Sequence, residues 1–182
     1  MAMTIVYEVG NNLYVNLTNK CPCSCTFCIR NNGDGAYGSD SLWLEHDPSD
    51  QEIIQALKEH NFKNYKEIVF CGYGEPTERL DSLTAAASFI KKNDGPPIRL
   101  NTNGLADLIH GKPVAYKLQG LCDIVSISLN AGTKEEYLKR VQEGFVAVMK
   151  IGLGKKVMGN SPNPAGKTGT VSYTHLTLPT TE

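Results

Sequence analysis

Residues 12–30 read NLYVNLTNKCPCSCTFCIR, a strictly alternating stretch that runs straight into four cysteines. Leu13, Val15 and Leu17 share one face, and Tyr14, Asn16 and Thr18 the other, which predicts a strand. Cys21, Cys23, Cys25 and Cys28 then fall on the loop at its C-terminal end. They are four of the chain's six cysteines. Neighbours this close pair poorly as disulfides. The start, MAMTIVYEVG, lacks the charged-then-apolar pattern of a signal peptide, and no apolar run is long enough to span a bilayer. A cytoplasmic protein is therefore expected. In a reducing compartment, clustered thiols point to metal binding or catalysis. The formal net charge of −1 offers no basic field for nucleic acid or an anionic membrane.

Downstream, strand and helix patterns alternate. PSDQEIIQALKEH (48–60) predicts a helix with Ser49 as N-cap, Glu52 closing a capping box, and Ile53, Ile54 and Leu57 as its apolar stripe. KEIVFCG (66–72) is a short strand ending in glycine. LDSLTAAASFIKK (80–92) is a second helix with Leu83, Ala86, Ala87 and Ile90 on its inner face. PIRLNTNG (97–104) and CDIVSISLNA (122–131) are further strands, with a short helical region expected between Leu105 and Leu118. TKEEYLKRV (133–141) opens another helix on a Thr133/Glu136 capping box. This alternation implies an α/β fold with parallel strands and right-handed crossovers. Two strands carry a polar face: Arg99, Asn101 and Asn103 in one, Ser126, Ser128 and Asn130 in the other. Burying that face dry is costly. A curved sheet or partial barrel with helices outside and a ligand-filled interior satisfies both faces; a wetted edge strand is the plainer reading of either strand alone.

Cys21, Cys25 and Cys28 are spaced C-x3-C-x2-C, with Phe27 before the last. Structural zinc prefers two separated ligand pairs, and ferredoxin runs use four cysteines at other spacings. Three thiolates on a cubane leave one iron open. The spacing, the aromatic residue and the place after a first strand resemble the radical S-adenosylmethionine superfamily. The resemblance implies a partial (β/α) TIM-type barrel and a [4Fe–4S] cluster held by Cys21, Cys25 and Cys28. It also implies S-adenosylmethionine on the fourth iron and reductive cleavage to a 5′-deoxyadenosyl radical. That radical would take a hydrogen atom from a substrate that the sequence does not identify, and no catalytic side chain is assigned. A reductant such as flavodoxin or ferredoxin is the implied partner. Cys23 as a fourth ligand would block the open iron, so it is expected to be a bystander. The alternative function is a non-catalytic iron–sulfur or zinc-binding module.

CGYGEPT (71–77) follows the second predicted strand. Gly72 and Gly74 permit a tight turn and close approach of a ligand. The stretch resembles the superfamily's GGEP motif with Tyr73 in place of the second glycine. The resemblance implies that Gly72, Tyr73, Gly74 and Glu75 bind the cofactor, Glu75 meeting the methionyl ammonium. Ser126, Ser128 and Asn130 lie where the superfamily makes its ribose contacts, and NTNG (101–104) would line the same cavity. Arg79 and Arg99 fit either an acidic substrate or surface ion pairs. Glu45, His46 and Asp47 read as a solvated loop before a helix cap. Cys71 and Cys122 read as small core residues.

Four stretches, YVNLTNKCPCSCTFCIR, EIVFCGYGEPTERL, IRLNTNGLADLIHGKPV and CDIVSISLNAGTKEEYL, resemble the TatD-linked radical SAM proteins. The implied functional partner is a TatD-type hydrolase. Only four strand–helix units are recognisable, so a barrel truncated after them is expected. Residues 1–143 are the expected core. Residues 144–182, which include GLGKKVMGNSPNPAGKTGT, are expected to be an irregular, non-native or disordered tail. Its end, VSYTHLTLPTT, resembles sequencing-adapter read-through.

Overall fold

Alternation at the start of the chain closes on itself before the cysteine loop begins. In the computed structural model, β1 (Val6–Val9) and β2 (Asn12–Val15) form an antiparallel hairpin with Val9 opposite Asn12. Gly10 takes the left-handed conformation (φ 58°) that a two-residue turn needs. The first of these strands was not anticipated, although Gly-Asn between two alternating runs is a hairpin signal. The structure describes residues 3–129 apart from positions 26, 34 and 37, together with the strands Val141–Gln142 and Gly169–Tyr173.

The predicted alternation follows. β3 (Ser24–Cys25) lies in the cysteine loop. Then come α1 (Asp50–Glu59), β4 (Glu67–Phe70), α2 (Leu80–Lys92), β5 (Ile98–Thr102), α3 (Ala106–Ile109) and β6 (Ile124–Leu129). β2, β4, β5 and β6 run parallel, so their C-terminal ends gather at one edge. β7 (Val141–Gln142) pairs antiparallel with β3. β8 (Gly169–Tyr173) pairs antiparallel with β6, giving a six-stranded mixed sheet ordered β1-β2-β4-β5-β6-β8. Those five residues are the described part of the segment expected to be an irregular tail. The helix expected from Thr133 lies outside the described residues except at Val141, which is the first residue of β7.

One face of the sheet buries the main core. Leu13, Val15, Ile68, Phe70, Ile98 and Leu100 are sealed against Ile53 and Leu57 of α1 and Leu83, Ala87 and Ile90 of α2. Burying each such side chain contributes about 1.5–3 kcal/mol. The capping box on α1 forms as read: Ser49 Oγ accepts from the Glu52 amide, and the Ser49 amide donates to the Glu52 carboxylate. Cys122 packs at the margin of this core, where burial pushes its thiol up to about 12.

The opposite face departs from a wholly polar interior. On the β1–β2 side Tyr7 and Tyr14 join Ala36, Leu42 and Tyr73 in a second apolar cluster, so residues from the segment after the cysteines cover it. Farther along, the face is polar as expected. Arg99 forks onto Glu67 with two bonds of 2.9 Å and reaches Ser126 Oγ at 3.3 Å. That two-pronged geometry partly offsets the cost of removing both charges from water. Among the described residues no helix is long and apolar enough to cross a membrane.

Candidate cofactor site at the strand ends

The cysteine loop leaves β2 through a braced corner. Thr18 Oγ1 accepts from the Lys20 amide and donates to Asp47 Oδ1 at 2.6 Å. Asn19 clamps Leu44, its Nδ2 donating to the Leu44 carbonyl and its Oδ1 accepting from the Leu44 amide. The chain then turns between Cys25 and Cys28, where the Cys28 amide donates to the Cys25 carbonyl at 3.1 Å. Arg30 ties the loop together. Its guanidinium donates to the carbonyls of Asn19 (3.2 Å) and Cys23 (3.4 Å) and lies 6.0 Å from the centre of the Trp43 ring. Burial disfavours its charge, yet hydrogen bonding to Cys28 and the neighbouring thiols raise its pKa. The sequence reading missed Arg30; a cation two residues beyond a thiol run was the available signal.

The four thiols are unequal. Cys23 is buried, and Cys21, Cys25 and Cys28 are partly exposed. Cys23 stands between Cys21 and Cys25. Its hydrogen bond holds Cys21 down to about 7 and lowers Cys25, while the same bonds push Cys23 itself up. Cys21 and Cys25 are thus favoured as thiolates over Cys23. Cys23 is the inward thiol of the loop, accepting from Asn103 Nδ2 at 3.5 Å. Among the described residues no three His, Cys, Asp or Glu side chains converge as they would around one ion. A cubane takes its thiolates at separate irons, so convergence on a point is not required of its ligands. An all-sulfur donor set on one loop, at C-x3-C-x2-C spacing, fits such a group.

Both glycines after β4 are forced by close approach. A Cβ on Gly72 would fall 2.0 Å from Asn16 Oδ1, and one on Gly74 would fall 2.2 Å from the Thr18 carbonyl and 2.6 Å from that of Lys20. The loop after β4 therefore lies directly on the approach to the cysteines. Tyr73 between them turns its ring into the second apolar cluster, edge-on to Trp43, and donates its hydroxyl to the Gly33 carbonyl at 2.7 Å. Through that bond it holds the segment following the cysteine loop.

Glu75 is buried, 4% exposed. Its Oε1 accepts from the Thr77 amide (3.1 Å), Thr77 Oγ1 (2.7 Å) and Thr102 Oγ1 (2.7 Å), and its Oε2 accepts from the Asn103 amide (2.8 Å). Burial raises its pKa in spite of these four donors. All four are neutral, so the carboxylate has its hydrogen bonds but no countercharge among the described residues. Asn103 thus reaches Glu75 with its main chain and Cys23 with its side chain, which joins NTNG to both loops.

The remaining predicted residues are placed as follows. Ser126 is buried beside Arg99, Ser128 is half-buried on the same strand, and Asn130 lies outside the described residues. Arg79 donates to the Pro48 carbonyl and Ser82 Oγ and lies 3.8 Å from the Asp47 carboxylate, so it braces a helix start within an ion pair. His46 pairs with Glu52 and Asp47 with Lys20, so these two side chains go to different partners.

Comparison with known proteins agrees with this geometry. GTP 3',8-cyclase of Corynebacterium glutamicum is 30% identical over 136 residues, covering 72% of this chain and 34% of that protein. Dual-specificity RNA methyltransferase RlmN of Campylobacter fetus is 29% identical over 159 residues, 76% of this chain and 41% of that one. A second such methyltransferase, RlmN 2 of Myxococcus xanthus, is 27% identical over 150 residues, 72% and 35%. The chain therefore spans about a third of the length of the first of these relatives. A family model matches residues 15–151, from β2 through the cysteine loop to beyond β7. With its thiols, glycine loop and buried acid gathered at the ends of parallel strands, the chain belongs to the Radical SAM superfamily.

Proposed function

We propose that Cys21, Cys25 and Cys28 hold a [4Fe–4S] cluster and that the loop from Gly72 to Glu75 receives S-adenosylmethionine. The observation that carries this reading is the convergence of three elements. The Glu75 amide donates to the Lys20 carbonyl, and Asn103 touches both Glu75 and Cys23. When bound, the cluster would supply one-electron reducing chemistry for cleavage of the cofactor's C5′–S bond and hydrogen abstraction from substrate. The chain's own part is positional. Three outer thiols supply ligands, Cys23 lies inward of them, and Arg30 offsets their charge. Glu75 offers the missing cation a carboxylate already stripped of water. Ser126 and Ser128, with Asn130, are assigned to the ribose.

The reading stops at the reaction class. One relative is named for GTP and the others for RNA, so the relatives set no common substrate. A small-molecule or unidentified substrate, a flavodoxin- or ferredoxin-type reductant and a cytoplasmic setting complete the proposal. The link to a TatD-type hydrolase rests on the resemblance of the four sequence stretches alone. The test is anaerobic reconstitution followed by EPR of the reduced cluster. S-adenosylmethionine changes the signal if one iron is open. An unchanged signal would return the protein to the non-catalytic module.

A further inference from the structure

Two hydroxyls crowd one oxygen of Glu75. Thr102 is 7% exposed and Thr77 is 1% exposed, and both donate to Oε1. The direction of the Thr102 bond is fixed. Its Oγ1 accepts from the Gly104 amide at 3.1 Å, and its single O–H donates to the ionised carboxylate, which can only accept. Gly104 sits at φ 78°, so the turn that delivers this amide is one a side chain would strain. With the Thr77 amide added, Oε1 accepts three donors while Oε2 accepts one. Thr77 belongs to the turn that Glu75 itself caps, Pro76–Arg79. Thr102 does not. It comes from the end of β5, so its bond is not needed to cap that turn.

We propose that Thr102 is a positioning residue: with Thr77 it occupies Oε1 of Glu75 and so leaves Oε2 as the oxygen that meets the cofactor's ammonium group. This rests on the assignment of Glu75 made above. The hydroxyl pair does two things. It removes the carboxylate's freedom to present either oxygen, and it favours the charged form that burial disfavours. The titratable groups that feel the Glu75 charge are the thiols of Cys21 and Cys71, and His110 bonds the Thr77 carbonyl at 2.8 Å.

The test compares Thr102→Val, Thr102→Ser and Glu75→Gln in the full chain. Two readouts are used. One is S-adenosylmethionine affinity of the reconstituted protein by calorimetry. The other is the carboxyl titration of Glu75 in the cluster-free protein, followed by infrared difference spectroscopy. Thr102→Val is expected to weaken binding about tenfold, as for loss of a hydrogen bond to a charged group. It is also expected to move the Glu75 titration to higher pH. Thr102→Ser restores both, because it keeps the hydroxyl. If Thr102→Val gives an unstable protein, Thr77→Ala carries the same two expectations. Unchanged affinity and titration in Thr102→Val, with Glu75→Gln weakened, overturn the positioning role and leave Glu75 in place. Failure of Thr102→Ser to restore either readout assigns the effect to packing and overturns it too. Unchanged affinity in Glu75→Gln removes the underlying assignment instead.

Discussion

The amide of Glu75 donates to the carbonyl of Lys20 across 2.8 Å, joining the acid of the glycine loop main chain to main chain with the residue before Cys21. Any movement of one loop is therefore felt by the other. Gly74 is what permits the bond, since its missing side chain lets two strand ends touch.

Gly74→Ala tests that contact. The added carbon would meet two backbone oxygens rather than a side chain that could swing away. The expected cost is about 1–3 kcal/mol of stability, read from urea denaturation. An unchanged midpoint would show that the loops are not in contact.

The cysteines should behave unequally on reconstitution. Cys21→Ala, Cys25→Ala and Cys28→Ala each remove one of three ligands and are expected to prevent stable [4Fe–4S] assembly. Cys23→Ala is expected to assemble at normal iron and sulfide content. Loss of the cluster in Cys23→Ala together with its retention in Cys21→Ala would reverse the ligand assignment.

Glu75 predicts a pH dependence in the cluster-free protein. Its folded pKa lies above the ordinary 4.5 because burial penalises the charge. The folded state thus holds its proton more tightly than the unfolded chain. Stability contributed this way is full below about pH 4.5 and is lost as pH rises through the folded value. Glu75→Gln should remove that decline from the curve of unfolding free energy against pH. A curve identical to the parent's would mean that the carboxyl is not desolvated.

The α1 cap works in the opposite direction. Hydrogen bonds from Ser49 hold Glu52 down to about 2, against an ordinary 4.5. Its contribution is present above about pH 4.5 and disappears as pH falls towards 2. Ser49→Ala should cost about 1 kcal/mol near neutrality. It should also shrink the acid-sensitive part of the profile. Thermal melts at several pH values would show both effects.

Phe70, fully buried in β4, anchors the sheet against the helices. Phe70→Ala should cost about 3–5 kcal/mol by chemical denaturation. A loss under 1 kcal/mol would mean that β4 does not pack as described.

What the sequence by itself determined was local. The capping box of Ser49 and Glu52, the stripe of Ile53 and Leu57, the alternation of Leu13 and Val15 and the C-x3-C-x2-C spacing all lie within a few residues of chain. Periodicity and capping act at that range, so they are written in order along the chain. Tertiary structure decided the rest. It turned Tyr73 towards Trp43 and Gly33, buried Cys23 while leaving its three neighbours partly exposed, and brought Thr102 to Glu75 across 27 positions. No pattern in either segment names the other. Their meeting follows from the register of β4 with β5, where Phe70 pairs with Leu100, and from the glycines that let the next loop fold down onto the strand ends. Which donors a buried carboxylate finds depends on where packing leaves the strand ends, and that is settled only when the sheet is assembled.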